Sequence, residues 1–259
     1  MEVEQLKEIR MRHIATKHSE PQLFEAFKQV VRSVLQGCDS IDEIIDAIPH
    51  APCENQQVGL IGEIVKRICD PCRVPFERKE IVYDKRKRVV VILESPHKYE
   101  FCKAKDGKWE PIGPACYCTG CRLARNWQDV FGNRFDDCEL VLVNAVRFQC
   151  SLAAAGKYEK YKDEIIRHCL EVEELRSDFA ESLTNLISQD TSFVNACTGK
   201  IGDCDSVHGR VSSILEGLEI KALNLAHPSS WRCLRNVTAQ KRRVEAYYSS
   251  ENKNMAKER

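Results

Sequence analysis

The sequence predicts an α/β fold: three layers, α/β/α, around a central four-stranded, mainly parallel sheet, with a helical extension ahead of it. Two observations predict this. Four apolar runs rich in β-branched residues occupy 89–93, 140–143, 192–196 and 222–226. Helical patterns separate them at 123–131, 164–175 with 179–187, and 207–218. Strand and helix alternating in this way imply right-handed crossovers and helices on both sheet faces.

Ahead of the first strand the texture is helical. In PQLFEAFKQVVRSVLQG, Phe24, Phe27, Val31, Val34 and Leu35 share one face, and Gly37 is a natural stop. Ser40 and Glu43 have capping-box spacing for a short helix bearing Ile41, Ile44, Ile45 and Ile48. A third helical segment is expected from about Val58 to Cys69. These pieces form an expected extension over 1–78, and the α/β domain is expected over 79–259. A last, basic helix is expected from Ala239 to about Tyr248.

Composition limits the function classes. Lys plus Arg and Asp plus Glu both number 39 in 259 residues, so no global field draws the chain to nucleic acid. Cations cluster locally, at Lys85, Arg86, Lys87 and Arg88 and again at Arg232, Arg235, Lys241, Arg242 and Arg243. No apolar run is long enough to span a membrane. The charged N-terminal stretch MEVEQLKEIRMRH lacks a secretory signal's apolar core, which implies a cytoplasmic chain. There the 14 Cys are expected as reduced thiols or metal ligands rather than disulfides. A monomer is expected.

The chemistry-bearing residues sit where strands end. The first strand runs into Glu94, Ser95, Pro96 and His97, and the second ends in Asn144. The fourth runs into His227, Pro228, Ser229, Ser230 and Trp231. Ligands of open α/β sheets bind at the carboxyl ends of strands, so Glu94, Asn144 and His227 are expected to share one crevice. The Gly/Pro-rich stretch 106–120 follows the Glu94 strand as a loop able to shape a site. Trp231 beside Arg232 suits an exposed apolar wedge that enters a base stack.

These motifs, LESPH at 93–97, LVLVNAV at 140–146 and HPSSW at 227–231, resemble in order and spacing those of the uracil-DNA glycosylase superfamily. The resemblance covers roughly residues 80–250. It is similar in spelling to a branch of prokaryotic antiviral glycosylases that remove glucosylated hydroxymethylcytosine from phage DNA. Leu93, Ser95, His97, Ser230 and Trp231 depart from the best-known members.

The resemblance implies a monofunctional DNA glycosylase acting on a flipped nucleotide, with Glu94, His227 and Asn144 catalytic. Ser95, Pro96, His97, Tyr117, Thr119 and Ser229 would bind substrate, and Trp231, Arg232 and Ser230 would contact single- or double-stranded DNA. A C5-modified cytosine is the expected substrate, since His97 stands where strict uracil enzymes carry a blocking Tyr. The alternatives are a uracil glycosylase in base-excision repair, a non-cleaving DNA-binding module, and a metal-dependent regulator. No Lys is placed by the sequence as a Schiff-base nucleophile, so lyase activity is not expected.

No cofactor is required for this chemistry and no metal is assigned. Some superfamily members carry an iron–sulfur cluster, for which Cys69, Cys72, Cys150 and Cys169 have comparable placement. Zinc on Cys69, Cys72, Cys118 and Cys121 is the rival arrangement.

Overall fold

The computed structural model describes residues 18–53, 56–61, 87–111, 115, 118–156 and 158–257. Helix α1 (Glu20–Val34) begins where the Ser19 N–H donates to Gln22 Oε1 at 2.9 Å. Gly37, with φ +90°, turns the chain just beyond its end. Helix α2 (Ile41–Ala47) follows, without the expected capping box. Ser40 has a left-handed φ of 61° and its side chain makes no cap bond, because an N-cap needs extended backbone to reach the first turn.

The next segment departs further. Gln56–Leu60 is a strand, β1, where a helix from Val58 was expected, with Val58 buried. Residues 62–69 of that expected helix, Lys85 and Arg86, and the expected boundary at 78/79 lie outside the described residues.

Strand β2 (Arg88–Leu93) leads through a 3-10 turn at Lys98–Glu100 into a small antiparallel hairpin, β3 (Phe101–Lys103) and β4 (Trp109–Pro111). Helix α3 (Cys118–Phe131), strand β5 (Glu139–Asn144), helices α4 (Lys162–Glu171) and α5 (Glu173–Thr184), and strand β6 (Thr191–Asn195) follow. Val172 takes extended dihedrals and divides α4 from α5, earlier than the periodicity placed the break. Helix α6 (Val207–Gly217), strand β7 (Ala222–Asn224) and helix α7 (Leu234–Lys257) complete the chain.

The central sheet has the order β1-β5-β2-β6-β7. β5, β2, β6 and β7 run parallel, and β1 adds an antiparallel edge on β5. The sheet is therefore mixed and five-stranded, not four-stranded. The extra strand escaped notice because QQVGL is too short and too glycine-weakened to show a period-2 pattern.

Side-chain alternation divides the core in two. Val90, Ile92, Val141, Val143 and Phe193 face α1, α2, α4, α5 and α6. Val89, Val91, Leu93, Leu140, Leu142, Val194 and Leu223 face α3 and α7. Helices thus cover both faces, and the N-terminal α1 packs against α4 and α5 within the first of these cores. β2 and β5 are buried along their whole length, and their carboxyl ends bring Glu94 and Asn144 to the same edge of the sheet.

Candidate functional site at the carboxyl ends of the strands

A cavity of about 450 Å³ opens where β2 ends, a volume typical of small-ligand sites. Glu94, Ser95, Pro96 and His97 line it from the segment after β2, and Thr119 and Arg122 from α3. Ser151, Glu159 and Lys162 contribute another wall, and His227, Ser229 and Arg232 come from the segment after β7.

Glu94 is only 6% exposed, and each carboxylate oxygen has partners. Oε1 accepts from Lys162 Nζ at 3.0 Å, and Oε2 accepts from the Thr198 N–H at 3.2 Å. His227 Nε2 stands 3.4 Å from the same Oε2. Burial opposes the charge, but His227 and Lys162 outweigh it and hold Glu94 below the usual carboxylate range. Lys162 is itself held above the usual ammonium range, burial being overcome by Glu94.

The Thr198 donor depends on how the β6–α6 connection packs. Ser206 caps α6 by accepting the Gly209 N–H at 3.1 Å. A Cβ on Gly209 would lie 2.0 Å from the Asp203 carbonyl oxygen, so only glycine lets the connection close over that first turn.

His227 is almost fully enclosed. Its Nδ1 accepts the Ser229 N–H at 3.2 Å and lies 2.7 Å from Ser229 Oγ. An Nδ1 that accepts leaves the neutral ring's proton on Nε2, facing Glu94 and the cavity. Burial lowers the imidazole's proton affinity, with Lys162 and Arg122 adding to the effect and Glu94 opposing it. A neutral ring with an Nε2–H donor is the result.

His97 caps the turn after β2. Its Nδ1 accepts from the Tyr99 N–H at 3.4 Å, its own N–H donates to Glu100 Oε1 at 3.0 Å, and its ring packs 5.0 Å from that of Tyr99. Glu100 is buried at the cavity wall, and its Oε2 has no hydrogen-bond partner among the described residues. Burial pushes its carboxyl up to about 8, so it is protonated at neutral pH.

The structure brings together Glu94, Ser95, Pro96, His97, Thr119, His227, Ser229 and Arg232 around one cavity. Tyr117 lies outside the described residues. Two expectations are corrected. Asn144 is buried opposite Leu93 at the end of β5 and is not among the residues that line the cavity. The strands' parallel register pairs it with Leu93, and two residues further on the Val146 N–H donates to the Glu94 carbonyl at 3.0 Å.

Trp231 is not an exposed wedge. It is 2% exposed in the core between α3 and α7, its ring 6.4 Å from that of Phe131, and its Nε1–H donates to the Ala226 carbonyl at 2.9 Å. An indole that size is stabilised more by burial with a bonded N–H than by exposure beside Arg232. Ser230 also turns inward, its hydroxyl donating to the His227 carbonyl at 2.8 Å.

Lys162, Thr198 and Glu100 were missed by the sequence reading. Lys162 lies in KYEKYKDE, where nothing distinguishes one lysine from its neighbours, and Thr198 acts through its backbone. Glu100 had a weak signal, an acid closing a turn just after the LESPH motif.

Of the iron–sulfur set, Cys150 and Cys169 are fully buried neighbours in the first core, while Cys69 and Cys72 lie outside the described residues. Burial, with Cys150 beside it, pushes the Cys169 thiol well up. The pair alone is half of a ligand set. The zinc set shares the two undescribed cysteines.

Among the described residues no helix is long and apolar enough to cross a membrane. In comparisons with known proteins, no family model, no curated protein and no solved structure matches the chain.

Proposed function

We propose that the chain is a monofunctional DNA glycosylase that hydrolyses the N-glycosidic bond of a flipped, C5-modified cytosine. The observation that carries this reading is the Glu94 carboxylate, ionised within a cavity and flanked by a cation and a neutral imidazole. The four parallel strands with the cavity at their carboxyl ends support the likeness to the uracil-DNA glycosylase superfamily.

The chemistry follows from charge. As the C1′–N bond breaks, its electron pair leaves with the base and the sugar becomes oxocarbenium-like. Glu94 stabilises that cation, orients a water and accepts its proton as the new C1′–O bond forms. His227, with its proton on Nε2, donates to the pyrimidine O2 as negative charge develops there. Lys162 keeps Glu94 ionised against the cost of burial. Thr119, Ser95 and Ser229 supply hydroxyls around the base, and Arg232 at the mouth meets phosphate. Asn144 has no catalytic part in this scheme.

A bulky C5 substituent is favoured over uracil because the wall beyond His97 is polar. Ser151, Glu159 and Tyr99 offer partners to hydroxyls such as those of a glucosyl group, which uracil would leave unused. Removing such a base from phage DNA would serve antiviral defence. The test is base release from duplexes carrying glucosylated hydroxymethylcytosine, cytosine or uracil, with products identified by mass. Release of the glucosylated base alone is expected. Release of uracil alone overturns the substrate, and tight binding without any abasic product makes the chain a binding module.

A further inference from the structure

One buried acid on the cavity wall has no part in breaking the bond. We propose that the Glu100 carboxyl sets specificity by donating a hydrogen bond to an oxygen carried on C5 of the flipped cytosine. This deepens the glycosylase reading and rests on it.

Glu100 lines the same cavity as Glu94 and is 5% exposed. The 3-10 turn after β2 fixes it twice over. Its N–H donates to the His97 carbonyl at 2.9 Å, and its Oε1 accepts the His97 N–H at 3.0 Å. Oε1 alone closes that turn, and Oε2 has no hydrogen-bond partner among the described residues. A protonated carboxyl that accepts at Oε1 presents its proton on Oε2. Ser151 Oγ is a second case: Ser151 is buried, lines this cavity, and its hydroxyl too lacks a partner among the described residues. Buried polar atoms are nearly always paired, so two left open around one cavity match a ligand that brings oxygens of its own. In the glycosylase reading His97 faces C5, which puts the acid tied to His97 beside the C5 substituent. A methyl group, or the hydrogen that uracil has there, offers no lone pair to the Glu100 proton. A hydroxymethyl or glucosyl oxygen does.

The carboxyl keeps its proton for want of a compensating charge. Burial pushes it up to about 8 against the pull of the His97 and Ala115 backbone N–H groups, and the Glu94 anion adds to the rise. The cavity's cations are committed elsewhere: Lys162 to Glu94, Arg122 and Arg232 to the Ser229 carbonyl, and Lys98 over the Tyr99 ring. Burial lowers the proton affinity of both His97 and His227, and Glu159 is the remaining acid of the wall. Above about pH 8 Glu100 is an anion, with no proton to give, and it repels the oxygen's lone pairs.

The experiment measures binding, by fluorescence anisotropy, of duplexes that differ only at C5 of one cytosine, 5-methyl against 5-hydroxymethyl. The target carries a 2′-fluoro sugar, which resists cleavage. Wild type is expected to bind the hydroxymethyl duplex about tenfold more tightly at about pH 6.5 and to lose that preference through about pH 8. Glu100→Gln, whose amide donates at any pH, is expected to keep the preference across the range. Glu100→Met, with the same reach and no donor, is expected to bind the two duplexes equally. Circular dichroism checks folding at each pH, and if Glu100→Met does not fold, wild type against Glu100→Gln decides. No preference in wild type, a preference unchanged through about pH 8, or one that Glu100→Met retains overturns the assignment. The preference without base release from an ordinary deoxyribose duplex leaves the role of Glu100 standing and removes the glycosylase reading. Base release without the preference removes the role of Glu100 alone.

Discussion

Lys162 Nζ lies 3.0 Å from Glu94 Oε1, joining residues 68 positions apart in the chain. The pair decides the charge of the cavity. Burial alone would drive the Glu94 carboxyl toward neutrality, and Lys162 with His227 reverses that. Lys162→Met keeps the length of the side chain and removes the cation. Glu94 is then opposed by burial with His227 as its main support, so its pKa rises. Wild type is expected to lose base release as pH falls through the low range where Glu94 takes up a proton. In the variant that acid limb moves to higher pH. A pH–rate profile of both proteins checks this. An unmoved limb would separate Lys162 from the charge state of Glu94.

Glu100 makes stability depend on pH with the opposite sign to a paired carboxylate. Its pKa is raised from 4.5 to about 8 by burial, so the folded chain holds a proton that the unfolded chain releases. Full stability is present below about pH 4.5, and it declines as pH rises toward about 8. Glu100→Gln removes this dependence. The variant is expected to be more stable than wild type by on the order of 4 kcal/mol at pH 8, and close to it at pH 4.5. Urea denaturation at the two pH values measures the difference.

Trp231→Ala tests whether the indole serves the core. Removing a fully buried indole is expected to cost about 3–5 kcal/mol of folding stability. Loss of base release should then be the same on duplex and single-stranded DNA and should follow the folded fraction. A stable Trp231→Ala protein with a duplex-only defect would return the wedge to Trp231.

The parallel part of the sheet was legible because its strands are continuous apolar runs, RVVVIL and ELVLVN among them, each followed by polar turn formers. Strand ends also disclosed Glu94 and His227, since a polar residue that stops an apolar run must lie at the sheet's edge. The same logic misjudged Asn144 and Trp231. Which way a side chain turns after a strand depends on neighbouring elements, here the β2 register for Asn144 and α3 with α7 for Trp231. β1 was illegible because a five-residue edge strand containing Gly59 has little pattern of its own. Lys162 was illegible for a different reason: only the packing of α4 against the end of β2 distinguishes it from the lysines around it.

The most direct measurement compares wild type with Glu94→Gln on a duplex containing one glucosylated hydroxymethylcytosine, scoring the free base by mass and the abasic site left behind. The amide keeps the side chain's shape and removes its charge, so wild type should release the base. The variant should bind the same duplex and release base at least about a thousandfold more slowly. Intact DNA with wild type, or equal rates for the two proteins, would contradict the assignment of Glu94 as the group that cuts the glycosidic bond.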